Sequence, residues 1–166
     1  MYTFEQVLSL MEGSYDKVCC RKRVGYYHSF AIDFGPKIYH NQKRNVDLFY
    51  GEWQFRTYNR MWKILKDGQL ILEGQNNTCS NDDLDDELQR IEFGRLMNIL
   101  INNDNGLVLE LDNGLSIGFI SDQKEEEVCT IFLPKNRCLV FNNDLSWEYG
   151  RGDLGWPNYL ELDYEE

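Results

Sequence analysis

Five cysteines, two histidines and one dense run of acids are the residues of this 166-residue chain whose types could do chemistry. Cys19 and Cys20 are adjacent, and adjacent thiols can neither close an ordinary disulfide nor supply two good corners of a zinc tetrahedron. Cys129 and Cys138 flank an expected turn, where they could approach each other, and Cys79 stands alone. No Cys-x-x-Cys or His-x-x-x-His spacing occurs, so the sequence offers no metal site and implies no cofactor. A Cys–His nucleophilic pair would need His28 or His40 beside Cys19 or Cys20, and no motif places either histidine there. The thiols read as structural, and the chain reads as a non-enzyme.

The acids are Asp82, Asp83, Asp85, Asp86 and Glu87. They lack the alternating Asp spacing, the central Gly and the closing Glu with which a calcium loop wraps its ion. Ser80 and Asn81 ahead of them can cap a helix, and acids in its first turns are favoured by the helix dipole. Leu84, Leu88 and Ile91 would share the inner face of that helix. Its outer face is then either simply solvated or a surface for a partner. A second candidate surface is the tail from Trp147 to Tyr159, where Asp153, Trp156 and Tyr159 interleave rings with acid. Aromatic anchors ringed by negative charge suit a cationic protein, with area from the rings and steering from the charge. The plainer reading is that Trp147 and Trp156 pack a sheet edge. No glycine-rich phosphate motif is present.

Charge is unevenly spread. Residues 1–66 carry 11 Lys and Arg against 6 Asp and Glu, a net +5, whereas residues 67–166 carry 6 against 22, a net −16. The overall −11 repels a phosphate backbone and argues against direct nucleic-acid binding, although Arg21, Lys22 and Arg23 form a local basic patch. One explanation of the asymmetry is that the basic first half folds against the acidic second half. No stretch approaches the ~20 apolar residues of a membrane span. The first residues carry no basic start followed by a long apolar run, and the cysteine count is odd. These features together imply a cytoplasmic protein with reduced thiols.

The elements that must position these residues are legible in part. Thr3 and Gln6 have capping-box spacing, and Phe4, Val7, Leu8 and Met11 form one helical stripe that should stop at Gly13. From Val24 to Tyr39 the chain is aromatic and β-branched, with His28 within it and Phe30, Ile32 and Phe34 alternating before Gly35-Pro36, which reads as a strand stopped by a turn. A polar loop follows at 41–45, and Trp53, Phe55 and Thr57 alternate in a strand starting near Glu52. In residues 107–119, a three-residue loop ending at Gly114 pairs Leu111 with Leu115, Leu109 with Ile117 and Leu107 with Phe119. A two-residue loop would mix polar with apolar on both faces. By the same test, a Lys66-Asp67-Gly68 loop brings Trp62, Ile64, Leu70 and Leu72 onto one face. Residues 128–133 and 138–141 flank a further turn, and 145–149 can add an edge strand. The expected fold is a single α+β domain, a largely antiparallel sheet with one or two short helices.

The segment Tyr50-Gly51-Glu52-Trp53-Gln54-Phe55-Arg56-Thr57-Tyr58-Asn59-Arg60-Met61-Trp62-Lys63-Ile64, with the Asp67-Gly68 hairpin after it, resembles small bacterial proteins. So does the later Leu-x-Leu-x-Leu-Asp-Asn-Gly-Leu stretch. Among such proteins are the immunity proteins encoded beside polymorphic or contact-dependent inhibition toxins. The resemblance covers about half the chain and lends no residue-level site. It implies a stoichiometric inhibitor that covers the active site of a cationic toxin domain, such as a nuclease. On that reading Asp82, Asp83, Asp85, Asp86 and Glu87 meet the partner, with Asp153, Trp156 and Tyr159 second. The alternatives are an acidic nucleic-acid mimic, a small enzyme using dispersed Cys, His and Asp, and a self-associating module.

Overall fold

Thr3 opens helix α1 (Phe4–Met11) with the expected capping box: its hydroxyl accepts from Gln6 N at 3.2 Å, and its own N–H donates to Gln6 Oε1 at 2.9 Å. Val7 and Met11 are buried on the inner stripe. Gly13 does not stop this helix in a left-handed conformation. The chain runs on through a 3-10 turn (Glu12–Ser14), and Asp16 takes the positive φ. Glycine is needed at 13 for space, because a Cβ there would sit 2.8 Å from the Trp53 ring.

The computed structural model describes residues 2–39 and 49–152; the loop at 41–45, His40, Asp153, Trp156 and Tyr159 lie outside them. Eleven strands form among the described residues. They begin with β1 (Cys19–Val24), β2 (Phe30–Tyr39), β3 (Phe49–Thr57), β4 (Trp62–Lys66) and β5 (Gln69–Glu73). Helix α2 (Asn81–Gln89) precedes β6 (Leu96–Ile101), β7 (Leu107–Leu111) and β8 (Leu115–Phe119). The last three are β9 (Glu127–Leu133), β10 (Arg137–Asn142) and β11 (Trp147–Arg151). They build two antiparallel sheets, ordered β1-β2-β3-β9-β10-β11 and β5-β4-β8-β7-β6. With two short helices this is an α+β fold. No helix among the described residues is long and apolar enough to cross a membrane.

The sheets share one apolar core. Phe30 of the six-stranded sheet stacks on Trp62 of the other at 4.7 Å between centroids and lies 5.9 Å from Phe119. Strand alternation sends Phe30, Ile32, Phe34, Trp53, Phe55, Ile131 and Leu139 into this core. The opposite face of the six-stranded sheet carries two rows fixed by register. One runs Arg21, Asp33, Gln54, Phe132, Cys138, Gly150; the next runs Arg23, Ala31, Arg56, Thr130, Val140, Glu148.

The β7–β8 hairpin has the expected register, with Leu107 opposite Phe119, Leu109 opposite Ile117 and Gly114 at φ +83°. The β4–β5 hairpin departs from expectation. Lys66 pairs with Gln69 across a two-residue Asp67-Gly68 turn, both residues at positive φ, and the register then shifts by one so that Ile64 faces Leu72. Leu72 is buried as expected, but Leu70 is exposed. Gly35-Pro36 likewise does not end its strand. It forms a bulge between Phe34 and Lys37, with Gly35 at φ +94°, and β2 continues to Tyr39. Proline is tolerated there because the ladder is already interrupted.

Candidate functional site

The chain leaves the six-stranded sheet after β3, builds the whole five-stranded sheet, and returns in β9 to lie beside β3. The β3–β9 ladder ends at Arg56 opposite Thr130, and the β4–β8 ladder begins at Trp62 opposite Phe119. Between these rungs the two segments separate at a corner. A cleft of about 280 Å³ opens there, lined by Arg56, Tyr58, Asn59, Glu125, Glu127 and Thr130 among others. This is slightly under the roughly 300–1,000 Å³ of small-molecule sites.

Three other segments meet at the same end of the sheet. The turn at 25–29 leads into Phe30, which pairs with Thr57 at the corner. The 143–146 turn is tied to the return loop, with Asn143 N donating to Glu126 O at 2.8 Å and Asn143 Nδ2 donating to the Asp122 and Glu125 carbonyls. Helix α2 lies along the β1 edge with its first turn here. Asn81 Oδ1 accepts from His28 N at 3.1 Å, and Gln89 Nε2 at the far end donates to Lys22 O at 2.7 Å.

Ser80 caps α2, its hydroxyl accepting from Asp83 N at 3.1 Å, and Leu84 and Leu88 bury the inner face. That arrangement leaves Asp82, Asp83, Asp86 and Glu87 exposed on the outside. Asp85 differs from the other four. Its Oδ1 accepts the Val24 amide at 2.8 Å and Gln89 Nε2 at 3.3 Å, fastening the helix to the open edge of β1. Sequence spacing could not distinguish it, because only the tertiary position of β1 does. Glu125, Glu126 and Asp144 add exposed acid at this end, against the exposed cations Arg23, Arg60 and Lys124. Glu127 is half-buried, and burial pushes its carboxyl up; the Thr130 hydroxyl donates to it at 3.3 Å and opposes that shift. At the opposite end of the same sheet lie Lys17, Lys37, Lys135, Arg137 and Arg151, beside Asp16 and Glu52. Among the described residues, acid therefore predominates at the corner end of this sheet and base at the opposite end.

The basic patch read at 21–23 is partly absorbed by the fold. Arg21 pairs with the fully buried Asp33 at 3.3 Å, while Lys22 donates to Ile91 O and lies over the Phe93 ring at 5.2 Å. Burial pushes the Asp33 carboxyl up, opposed by Arg56, Arg21 and the Gly51 amide, which donates to Oδ2 at 3.0 Å. Arg56 is held by Gln54 Oε1 at 2.5 Å and stacks over Phe132 at 5.3 Å.

All five cysteines are free thiols. Burial pushes Cys19 up to about 12 and raises Cys20 and Cys129 as well, so each holds its proton at neutral pH. Cys129 sits opposite Phe141 and Cys138 opposite Phe132, so the hairpin does not place them face to face. His28 lies in a 3-10 turn rather than a strand, and its Nε2 donates to the Cys79 carbonyl at 2.8 Å. Among the described residues, no three His, Cys, Asp or Glu side chains gather in a way that could hold a metal ion.

Two residues that sequence reasoning passed over stand out at the acidic end. Tyr26 and Tyr27 are 85% and 81% exposed, the most open large hydrophobic side chains among the described residues. Reading the aromatic segment from Val24 as continuous strand concealed them. Gly25 and Ser29, which close the turn around them, were the available signal. No family model, no curated protein and no solved structure matches this chain.

Proposed function

We propose that this protein is an inhibitor of the immunity kind, which neutralises a cationic toxin domain by seating its acidic end over that domain's active site. The observation that carries this reading is the outer face of α2. Asp82, Asp83, Asp86 and Glu87 project from a helix whose inner face and Asp85 are fully engaged in holding it to the sheet. Carboxylates on a rigid element steer a basic partner and occupy positions that substrate phosphates would take, with little ordering cost on binding. Glu125, Glu126 and Asp144 extend the same field across the corner. The resemblance of residues 50–64 to immunity proteins points the same way. A nuclease is the toxin class that best fits an acidic blocker.

The test begins with affinity capture from the native cells at low and high salt, followed by calorimetry on the purified basic partner. Replacing Asp82, Asp83, Asp86 and Glu87 together by Lys should weaken the complex on the order of 100-fold, or ~2.7 kcal/mol. The control, Lys37→Glu with Lys135→Glu at the opposite end, should change affinity less than about twofold, because those charges lie beyond the roughly 8 Å screening length. Equal affinity in the α2 variant and the wild type would overturn the proposal.

A further inference from the structure

The turn that carries Tyr26 and Tyr27 is built at a cost that a plain connection would not need. Tyr27 sits at φ 57°, ψ 31° and His28 at φ 58°, left-handed conformations that disfavour residues bearing a Cβ. Each such residue is strained and persists only where its surroundings over-determine it. The one glycine of the turn, Gly25, does not relieve this, since it adopts an extended φ of −112°.

The surroundings do over-determine it. Gly25 N donates to Ser29 O and Ser29 N to Tyr26 O, both at 3.1 Å. His28 is buried, with its amide donating to Asn81 Oδ1 and its Nε2 to Cys79 O. Trp62 Nε1 donates to the His28 carbonyl at 2.6 Å. A buried histidine, a core tryptophan and the first residue of α2 thus hold two tyrosine rings out in solvent. Among the described residues neither ring stacks on another and neither hydroxyl has a hydrogen-bond partner.

We propose that the Tyr26–Tyr27 turn and the acidic face of α2 together form an arginine-reading surface, whose occupant is an arginine-rich segment of the cationic partner. This rests on the acidic end being the binding end and adds the chemistry by which it selects. A tyrosine face attracts a cation, and the planar, weakly hydrated guanidinium stacks on it better than an ammonium does. The α2 carboxylates beside the turn accept the guanidinium N–H groups, which a carboxylate can receive in pairs. Lysine would feel the same field without the stacking or the paired bonds.

The probes are two ten-residue peptides, all-arginine and all-lysine, titrated calorimetrically into the full chain at the same salt. The wild type should bind the arginine peptide at least about fivefold more tightly. Replacing the rings by Tyr26→Ser with Tyr27→Asn keeps the turn, since Asn accepts the left-handed conformation, and its melting temperature should match or exceed the wild type. In that variant the arginine affinity should drop to the lysine level, with lysine affinity unchanged. Equal affinities in the wild type, or an arginine preference that survives in the folded double variant, would overturn the proposal. The four-lysine α2 variant separates it from the reading it rests on. If that variant weakens both peptides while the arginine preference is absent, the acidic end stands and the aromatic anchor falls. If neither peptide weakens, both fall.

Discussion

The two ends of the six-stranded sheet differ in chemistry and in how they are built. The acidic end gathers four connecting segments and the first turn of α2, cross-tied by Asn81, Asn143 and Trp62. The basic end holds Lys37 beside the β2 bulge and Lys135, Arg137 and Arg151 about the β9–β10 turn. The acidic α2 of the second half packs along the basic β1 of the first, while β1–β3 and β9–β11 lie side by side in one sheet. The ion pair of Arg21 with Asp33 is internal to the basic half. What the comparison teaches is that, among the described residues, charge separates with position along the strands.

The largest expected effect comes from breaking the scaffold of the acidic end. A Cβ at Gly74 would overlap Trp62 Nε1 and lie 2.6 Å from the Arg60 carbonyl, so Gly74→Ala must displace the ring that holds His28. It should cost about 3 kcal/mol, read from the urea midpoint, whereas an alanine at Gly68, which meets nothing within 4 Å, should cost only the strain of its φ. A finer contrast lies within α2. Asp85→Ala removes the acceptor of the Val24 amide and should cost about 1–2 kcal/mol, while Asp86→Ala should stay within about 0.5. For partner affinity the order should reverse, with Asp86→Ala the more damaging.

The smallest effect is a pH dependence set away from the acidic end. Because burial raises Asp33, the native protein holds that proton more tightly than the unfolded chain. Its contribution therefore favours folding at low pH and is lost as pH rises from the ordinary carboxylate range through the raised value. Urea midpoints across that window should fall more steeply for the wild type than for Asp33→Asn; parallel curves would show that the carboxyl does not titrate there.

How much of this could be read in advance depended on how many neighbours constrained each element. The β7–β8 register was legible because both strands are central and their apolar residues have a single buried face to occupy. The β4–β5 hairpin looks alike in sequence, yet β5 is an edge strand with one neighbour, so a bulge could turn Leu70 outward without breaking a second ladder. At the candidate site, the exposure of Asp82, Asp83, Asp86 and Glu87 followed from helical periodicity. The separate duty of Asp85, and the presentation of Tyr26 and Tyr27, depend on contacts with β1, Cys79 and Trp62 that no local pattern encodes.

The return of β9 to β3 has a consequence for when the protein becomes competent. Phe55 waits for Ile131, 76 residues further on, before its ladder can form. Closing so long a span is slow relative to local hairpins, so the intervening block, with its own β4–β8 and β7–β8 pairings, is expected to order first. The corner, the return loop and the 143–146 turn come together only with that closure. A chain still emerging from the ribosome would thus carry α2 and its acids long before it carried the end of the sheet that presents them, and capture of the proposed partner should begin only once β9 and the 143–146 turn have been made.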